Sequence, residues 1–370
     1  MKVCIDIQSA IAQRAGVGRY TRTLVEHLSR QRSPQDALSL FYFDFRRRGG
    51  APACLGATER AIHLIPGRVV QRAWKSLEWP PFNWFAGKAD VYHFPNFILP
   101  PLTRGKSVVT IHDVAFLRYP ETIEERNLRY LTRLMRKTVE RADRIITVSE
   151  FTAREIQQLL GVPKEKCAAI PSGLDDAFVP ARDEACRRFR EQHHLPRPYL
   201  LTVGTLEPRK NIPFLVYLFE SLDSDIDLVI AGMKGWKTEP ILHRIETSIR
   251  RNRIHYLDYV ADEDLPALYT GAEAFLFPSL YEGFGFPPLE AMRCRTPVIS
   301  SCTSSLPEVL GDAAILAEPY DVEAWLEAIS KVLGDSAFRT TLKAAGEARA
   351  AQFTWSETAR RTWDVYRSLA

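Results

Sequence analysis

Two series of short apolar runs, most of them separated by helical or loop-like stretches, constrain this chain more than any other feature. The first series, rich in Val, Ile, Phe and Tyr, lies at 2–7, 39–45, 61–65, 91–94, 107–111, 144–148 and 167–170. The second lies at 199–203, 227–231, 254–257, 274–277, 297–300 and 313–316, with helical segments such as 262–271, 288–294 and 321–333 among them. Runs this short and this continuously apolar suit strands covered on both faces, and strands alternating with helices build parallel sheets. Two successive doubly wound α/β units are therefore predicted. A length of 370 residues agrees, since it exceeds what one core usually serves.

Pro171-Ser-Gly-Leu-Asp-Asp, Pro180, a charged helix at 182–193, Pro196 and Pro198 punctuate the chain between the two series. The expected domains are 1–175 and 176–353, with the hinge near 171–182. Thr354-Trp-Ser-Glu357 has the form of a capping box opening a terminal helix that runs to 370, carries Trp363 and Tyr366, and can return to the first domain. Domains of this kind gather their functional loops at the carboxyl ends of the strands, so a cleft facing both sheets is where chemistry is expected.

The segment Tyr281-Glu-Gly-Phe-Gly-Phe-Pro-Pro-Leu-Glu-Ala-Met292 sets two carboxylates, Glu282 and Glu290, either side of a glycine loop and a helix-starting Pro-Pro. Two acceptor-only groups beside helix amides suit a polyol. After the apolar run Tyr199–Val203 comes Gly204-Thr-Leu-Glu-Pro-Arg-Lys-Asn211, in which Arg209 and Lys210 form a diphosphate-binding arrangement or solvated turn residues. Each cation about 4 Å from a phosphate charge contributes on the order of 4 kcal/mol at an effective dielectric near 20, before desolvation.

In the first half, Gly16-Val-Gly-Arg-Tyr20 opens a helix, but Thr21 stands where a dinucleotide fingerprint has its third glycine. Gly18 is either part of a tight turn or a point of close approach to a phosphate or sugar. His112-Asp113 follows the run 107–111, where a polar pair binds hydroxyls or an acceptor, or where Asp caps the next segment beside a structural His. Ser149 before Glu150 reads best as a helix N-cap.

An apolar content of 46% fits well-filled cores, and 49 Lys and Arg against 45 Asp and Glu leave a formal charge of +4, too mild to indicate a nucleic-acid partner. Cys4, Cys54, Cys167, Cys186, Cys294 and Cys302 show no metal-ligand spacing, which suits a reducing compartment. The amino-terminal residues lack signal-peptide features, and no run of about 18 apolar residues spans a membrane, so a cytoplasmic protein is expected. Residues 68–88 mix Arg68, Arg72 and Lys75 with Trp74, Trp79, Phe82, Trp84 and Phe85, and 125–144 carry Arg126, Arg129, Arg133, Arg136, Lys137, Arg141 and Arg144 on one long helix. Three readings stand for both stretches: ordinary solvated faces over buried aromatics, peripheral attachment to an acidic membrane, and, behind these, a nucleic-acid face.

These residues together resemble a known family. Glu282 to Glu290 matches the E-x7-E signature of retaining glycosyltransferases of the GT-B fold, and Pro278-Ser-Leu-Tyr-Glu-Gly-Phe-Gly-Phe-Pro-Pro-Leu-Glu-Ala-Met292 looks like glycosyltransferase family 4. The resemblance extends over most of the chain, through the glycine turn at 16–18, Ile111-His-Asp, Ile146-Thr-Val-Ser-Glu, Ile170-Pro-Ser-Gly, the Arg209-Lys210 segment and Ala231-Gly.

It implies two Rossmann-like parallel-sheet domains facing each other across a cleft, the first on the acceptor side and the second binding a nucleotide sugar. Glu290 would hold the ribose, and Glu282 with the amides of Phe284, Gly285 and Phe286 the transferred hexose. Arg209 and Lys210 would grip the diphosphate, backbone near Val260 would meet the base, Gly18 would approach the donor, and His112 would contact the sugar or position the acceptor. No protein nucleophile, metal or other cofactor is implied, because cations and helix ends neutralise the leaving group.

The expected reaction is transfer of a hexose, mannose from GDP-mannose first, to a polysaccharide or lipid-linked glycan. Rhamnosyl or glucosyl transfer, epimerisation, phosphorolysis and a non-catalytic sugar-nucleotide-binding subunit are the alternatives. Phosphorylases of this fold need a cofactor-bearing lysine and longer chains, and a degenerate subunit has little need of Arg209, Lys210, Glu282 and Glu290 together.

Overall fold

Most of the apolar runs became strands buried on both faces, with the edge strand at 58–62 left exposed or half-buried. The computed structural model describes residues 1–13, 16–47, 49–52 and 54–369. Its first sheet comprises β1 (Lys2–Asp6), β2 (Ala37–Phe43), β3 (Thr58–Ile62), β4 (Val91–Phe94), β5 (Lys106–Ile111), β6 (Arg144–Thr147) and β7 (Cys167–Ala169), in the spatial order β3-β2-β1-β4-β5-β6-β7. The second comprises β8 (Tyr199–Val203), β9 (Asp227–Ala231), β10 (Ile254–Leu257), β11 (Ala274–Phe277), β12 (Val298–Ser301) and β13 (Ile315–Ala317), in the order β10-β9-β8-β11-β12-β13. Every pairing is parallel.

In each sheet the order reverses beside the first strand, between β1 and β4 and between β8 and β11. The loops leaving those strands diverge to opposite faces and open a crevice at their carboxyl ends, which is where this class of sheet binds ligands. The strand bounds agree with the apolar runs to within a few residues.

The chain divides into two compact units. The first contains Met1–Val114, Arg129–Gly173 and the residues from Thr354 onward; the second contains Ala115–Leu128 and Leu174–Phe353. In the second, Leu200, Leu228, Ile230, Leu276 and Ile299 of the sheet meet Phe219 and Trp325 in one core.

The first unit is closed by the helix Trp355–Arg367. Trp363 donates its indole N–H to Leu28 O at 3.1 Å, and the Tyr366 hydroxyl lies 2.6 Å from Nδ1 of buried His93. Burial pushes His93 down to about 3, so it is a neutral structural link. Thr354 caps this helix, accepting from the Glu357 amide at 3.3 Å. The reciprocal half of the expected capping box does not form, because the Glu357 carboxylate is taken by Arg360 at 2.6 Å.

Residues 115–128 are the placement that sequence reading did not foresee. Trp236 donates to Thr122 O at 2.6 Å, Lys237 donates to Glu121 O, and the Tyr119 ring meets that of Tyr281 edge-on at 5.9 Å. These contacts hold the segment against the second unit's own loops.

The stretch at 68–88 folds as the helices Gly67–Leu77 and Phe82–Ala86, and its aromatics separate by face. Trp74 and Phe85 pack with Phe43, and Phe82 packs with Trp74 and Phe41, whereas Trp79 and Trp84 are exposed. The arginines of the helix Glu125–Arg141 point mainly to solvent, and Glu78 pairs with Lys137 and Arg141. Among the described residues no helix is long and apolar enough to cross a membrane.

Candidate active site

The candidate site lies at the switch point of the second sheet. The loop after β8 ends in the tight turn Pro208–Lys210 with Asn211 at φ 55°, and the loop after β11 runs from Pro278 to Gly285. These are the two loops that the strand reversal separates, and they meet again through charge. Arg209 Nη1 lies 2.8 Å from Glu282 Oε2, and Lys210 Nζ lies 2.6 Å from Glu282 Oε1.

Further bonds lock this arrangement. Arg209 Nη1 donates to Tyr281 O and Nη2 to Glu207 Oε1, both at 2.5 Å, while Leu280 N donates back to Arg209 O at 2.8 Å. Ser279 Oγ donates to Glu282 Oε1 at 2.6 Å, and the amide of Glu282 donates to Ser304 Oγ at 2.8 Å. Burial raises the Glu282 pKa, but Arg209, Lys210 and the hydrogen bonds outweigh it and bring the carboxyl down to about 2, so it is ionised at neutral pH.

The expectation of two open acceptors facing a polyol needs correction. Glu282 is only 7% exposed and already engaged by two cations and a hydroxyl. Glu290 is 3% exposed on the helix Phe286–Arg293, where its Oε2 accepts from the Tyr269 hydroxyl at 2.8 Å. Opposite charges on loops that only the tertiary fold brings together account for the first difference, and burial of the helix's inner face for the second.

Gly285 caps that helix at φ 105°, a conformation that L side chains rarely adopt, and a Cβ there would stand 2.8 Å from Leu306 Cδ2. Phe284 is buried, its ring against Phe286 and Phe353, so any polar role it has falls to its backbone. Val260, buried in the loop after β10, is in the same position.

The first unit holds the other two candidates. Gly18 lies in the helix Val17–Arg30, and a Cβ there would fall 2.1 Å from Gln13 O. The close approach it permits is therefore to the chain's own backbone, before any ligand is considered. His112 lies at the end of β5 with Nε2 2.9 Å from Pro95 O. A carbonyl can only accept, so Nε2 carries the hydrogen and Nδ1 the lone pair. Burial lowers its pKa, against the opposing pull of Pro95 O and Asp113, and the ring is neutral at pH 7. Tyr20 supports it edge-on at 4.7 Å.

Sequence reasoning missed Glu207, Ser279, Tyr269 and Tyr281. Ser279 and Tyr281 sit within three residues of Glu282 and were open to notice, whereas nothing local marks Tyr269, which reaches Glu290 only through packing. Ser149 behaves as expected, capping its helix by accepting from Thr152 N at 3.1 Å. Among the described residues no group of three or more His, Cys, Asp or Glu side chains is placed to hold a metal ion.

Two parallel, doubly wound sheets of this order make a GT-B fold. The structure resembles sucrose-phosphate synthase from Thermosynechococcus elongatus with a TM-score of 0.79 at 21% identity, covering 100% of this chain and 98% of that one. It also resembles WaaG, a glycosyltransferase involved in lipopolysaccharide biosynthesis, with a TM-score of 0.74 at 16% identity and coverage of 98% and 99%. At such identities the likeness is one of fold.

The family described as Glycosyltransferase Family 4 matches residues 14–178, and that described as Glycosyl transferases group 1 matches residues 185–349. The chain is 36% identical over 287 residues to the O-antigen chain mannosyltransferase B of Escherichia coli, covering 76% of this chain and 75% of that protein. It is 32% identical over 341 residues to the serotype-specific mannosyltransferase WbdA of Escherichia coli, covering 89% of this chain but only 40% of that longer protein. This protein belongs to glycosyltransferase family 4.

Proposed function

We propose that this glycosyltransferase moves mannose from GDP-mannose to a growing polysaccharide or lipid-linked glycan, with retention at the anomeric carbon. The observation that carries the reading is the meeting of Arg209 and Lys210 with Glu282 at the switch point of the second sheet. The choice of mannose rests on the relatives named as O-antigen mannosyltransferases.

In this reading Arg209 and Lys210 face the diphosphate, Glu290 the ribose, the backbone near Val260 the base, and Glu282 with the amides of Phe284, Gly285 and Phe286 the hexose. Gly18 and His112 of the first unit serve the same reaction, His112 through the lone pair on Nδ1. The bond between the anomeric carbon and the phosphate oxygen breaks as the acceptor oxygen adds on the same face, and the acceptor proton passes to the departing phosphate oxygen. Glu282, enclosed by two cations and Ser279, is an electrostatic and sugar-binding group and not a nucleophile. Cationic side chains and helix amides neutralise the leaving diphosphate, so the reaction proceeds without a metal or other cofactor.

We also read the exposed side chains Leu64, Leu77, Trp79 and Trp84, beside Arg68 and Arg72, as a peripheral contact with the cytoplasmic face of an anionic membrane. The transferase reading is tested by incubating the purified protein with a panel of sugar nucleotides, following nucleotide release with and without glycan acceptors. Release from GDP-mannose that depends on a glycan acceptor is the expected result. Consumption of no sugar nucleotide, with none raising the melting temperature, would overturn it.

A further inference from the structure

The cation pair is already neutralised before any ligand arrives. Arg209 and Lys210 face two buried carboxylates, Glu207 at 3% and Glu282 at 7% exposure, and the group as a whole carries no net charge. A diphosphate entering this site has to compete for a cation that is in use. Which cation it takes follows from how each is held.

Arg209 is pinned from several sides. Its guanidinium serves Tyr281 O, Glu207 and Glu282, and its carbonyl accepts from Leu280 N. Moving it would unmake the loop that carries Glu282. Among the described residues Lys210 has one ion-pair partner, Glu282, and it lies over the Phe277 ring with Nζ 4.9 Å from its centroid. Its stem runs past Gly204, whose missing side chain leaves Cε 3.5 Å from where a Cβ would be. A lysine is a point charge on a rotatable chain, whereas an arginine fork is held by its geometry.

We propose that Glu282 and the donor diphosphate compete for Lys210, so that arrival of the diphosphate bares Glu282 Oε1 for the sugar. This rests on the reading that the second unit binds a nucleotide sugar, and adds an order of events to it. When Lys210 swings to the phosphates, Glu282 stays in place, because Arg209 holds Oε2 and Ser279 holds Oε1. A carboxylate oxygen can take a second donor, and the place vacated by the ammonium becomes available to a sugar hydroxyl. A free sugar meets an occupied carboxylate and is refused.

The test is calorimetric titration with GDP, UDP and ADP and with the corresponding monophosphates, on wild type, Glu282→Gln, Lys210→Met and the double variant. With the competing charge gone, Glu282→Gln should bind the diphosphate about tenfold more tightly and the monophosphate with little change, and this gain should vanish in the Lys210→Met background. A second measurement needs no variant: methyl α-mannoside should bind wild type in the presence of GDP and not in its absence.

If wild type binds no nucleoside diphosphate, the donor-site reading itself falls. If it binds one, but Glu282→Gln leaves the affinity unchanged or lower, or the methyl mannoside binds equally well without nucleotide, the competition alone is overturned.

Discussion

The hydroxyl of Tyr269 donates to Glu290 Oε2 at 2.8 Å, joining the helix Leu265–Thr270 to the inner face of the helix Phe286–Arg293. Both side chains are buried, so the bond orients a carboxylate that has little freedom to reorient in water. Tyr269→Phe should lower stability by about 1–3 kcal/mol, as loss of a buried hydrogen bond does, and weaken nucleotide binding together with it. Urea unfolding and nucleotide titration on the same preparation measure both effects; a variant as stable and as tight as wild type would deny Tyr269 this role.

The two glutamates should separate in kinetics. Glu282→Ala should lower turnover without weakening the binding of free nucleoside diphosphate, whereas Glu290→Ala should chiefly weaken the nucleotide. Steady-state kinetics beside direct nucleotide titration reads the division, and equal effects of the two substitutions would remove it.

Acid should act on Glu282 in a defined window. Its pKa in the folded protein, about 2, lies below the ordinary glutamate value of 4.5, so the ionised form is the one that folding favours. That stabilisation, on the order of 3 kcal/mol, is fully present above about pH 4.5 and is lost as the pH falls through about 2. Glu220, lowered to about 2 chiefly by its hydrogen bond with Arg244, titrates in the same range, so the comparison needs a variant. Unfolding free energies of wild type and Glu282→Gln should converge as the pH is lowered from 5 to 2, and parallel curves would contradict the assignment.

Gly18→Ala should destabilise the protein before any ligand is added. The new methyl would lie 2.1 Å from Gln13 O, and relieving such an overlap costs about 1–3 kcal/mol in a packed region. A lowered melting temperature in ligand-free protein is expected. An unchanged melting temperature with lost donor binding would instead assign Gly18 to the ligand alone.

The exposed aromatic face should matter to membranes and not to folding. Trp79→Ala with Trp84→Ala, side chains 56% and 61% exposed, should lower flotation with anionic vesicles while shifting the melting temperature little. Wild-type protein that does not co-float would leave these residues as ordinary surface.

Much of this was legible because the code for buried parallel strands is local. A strand covered on both faces is an apolar run wherever it occurs, so Tyr199–Val203, Asp227–Ala231, Ile254–Leu257 and Ala274–Phe277 could be bounded to the residue. The cations after β8 and the glutamates after β11 were readable as donor-side candidates for the same reason. They follow strand ends, and strand ends are where such sheets bind.

What local patterns do not carry is who meets whom across sequence distance. The sequence by itself determined the two parallel-sheet units, the loops that matter and the residue types they present. Only the tertiary structure decided that Lys210 and Glu282, 72 positions apart, neutralise one another, that Tyr269 orients Glu290, and that residues 115–128 pack against the second unit. The physical reason is one of range. Apolar periodicity is written in neighbouring residues, whereas a buried ion pair forms when folding brings separate loops together and excludes water from between them, turning two cations and a carboxylate that looked independent into one coupled group.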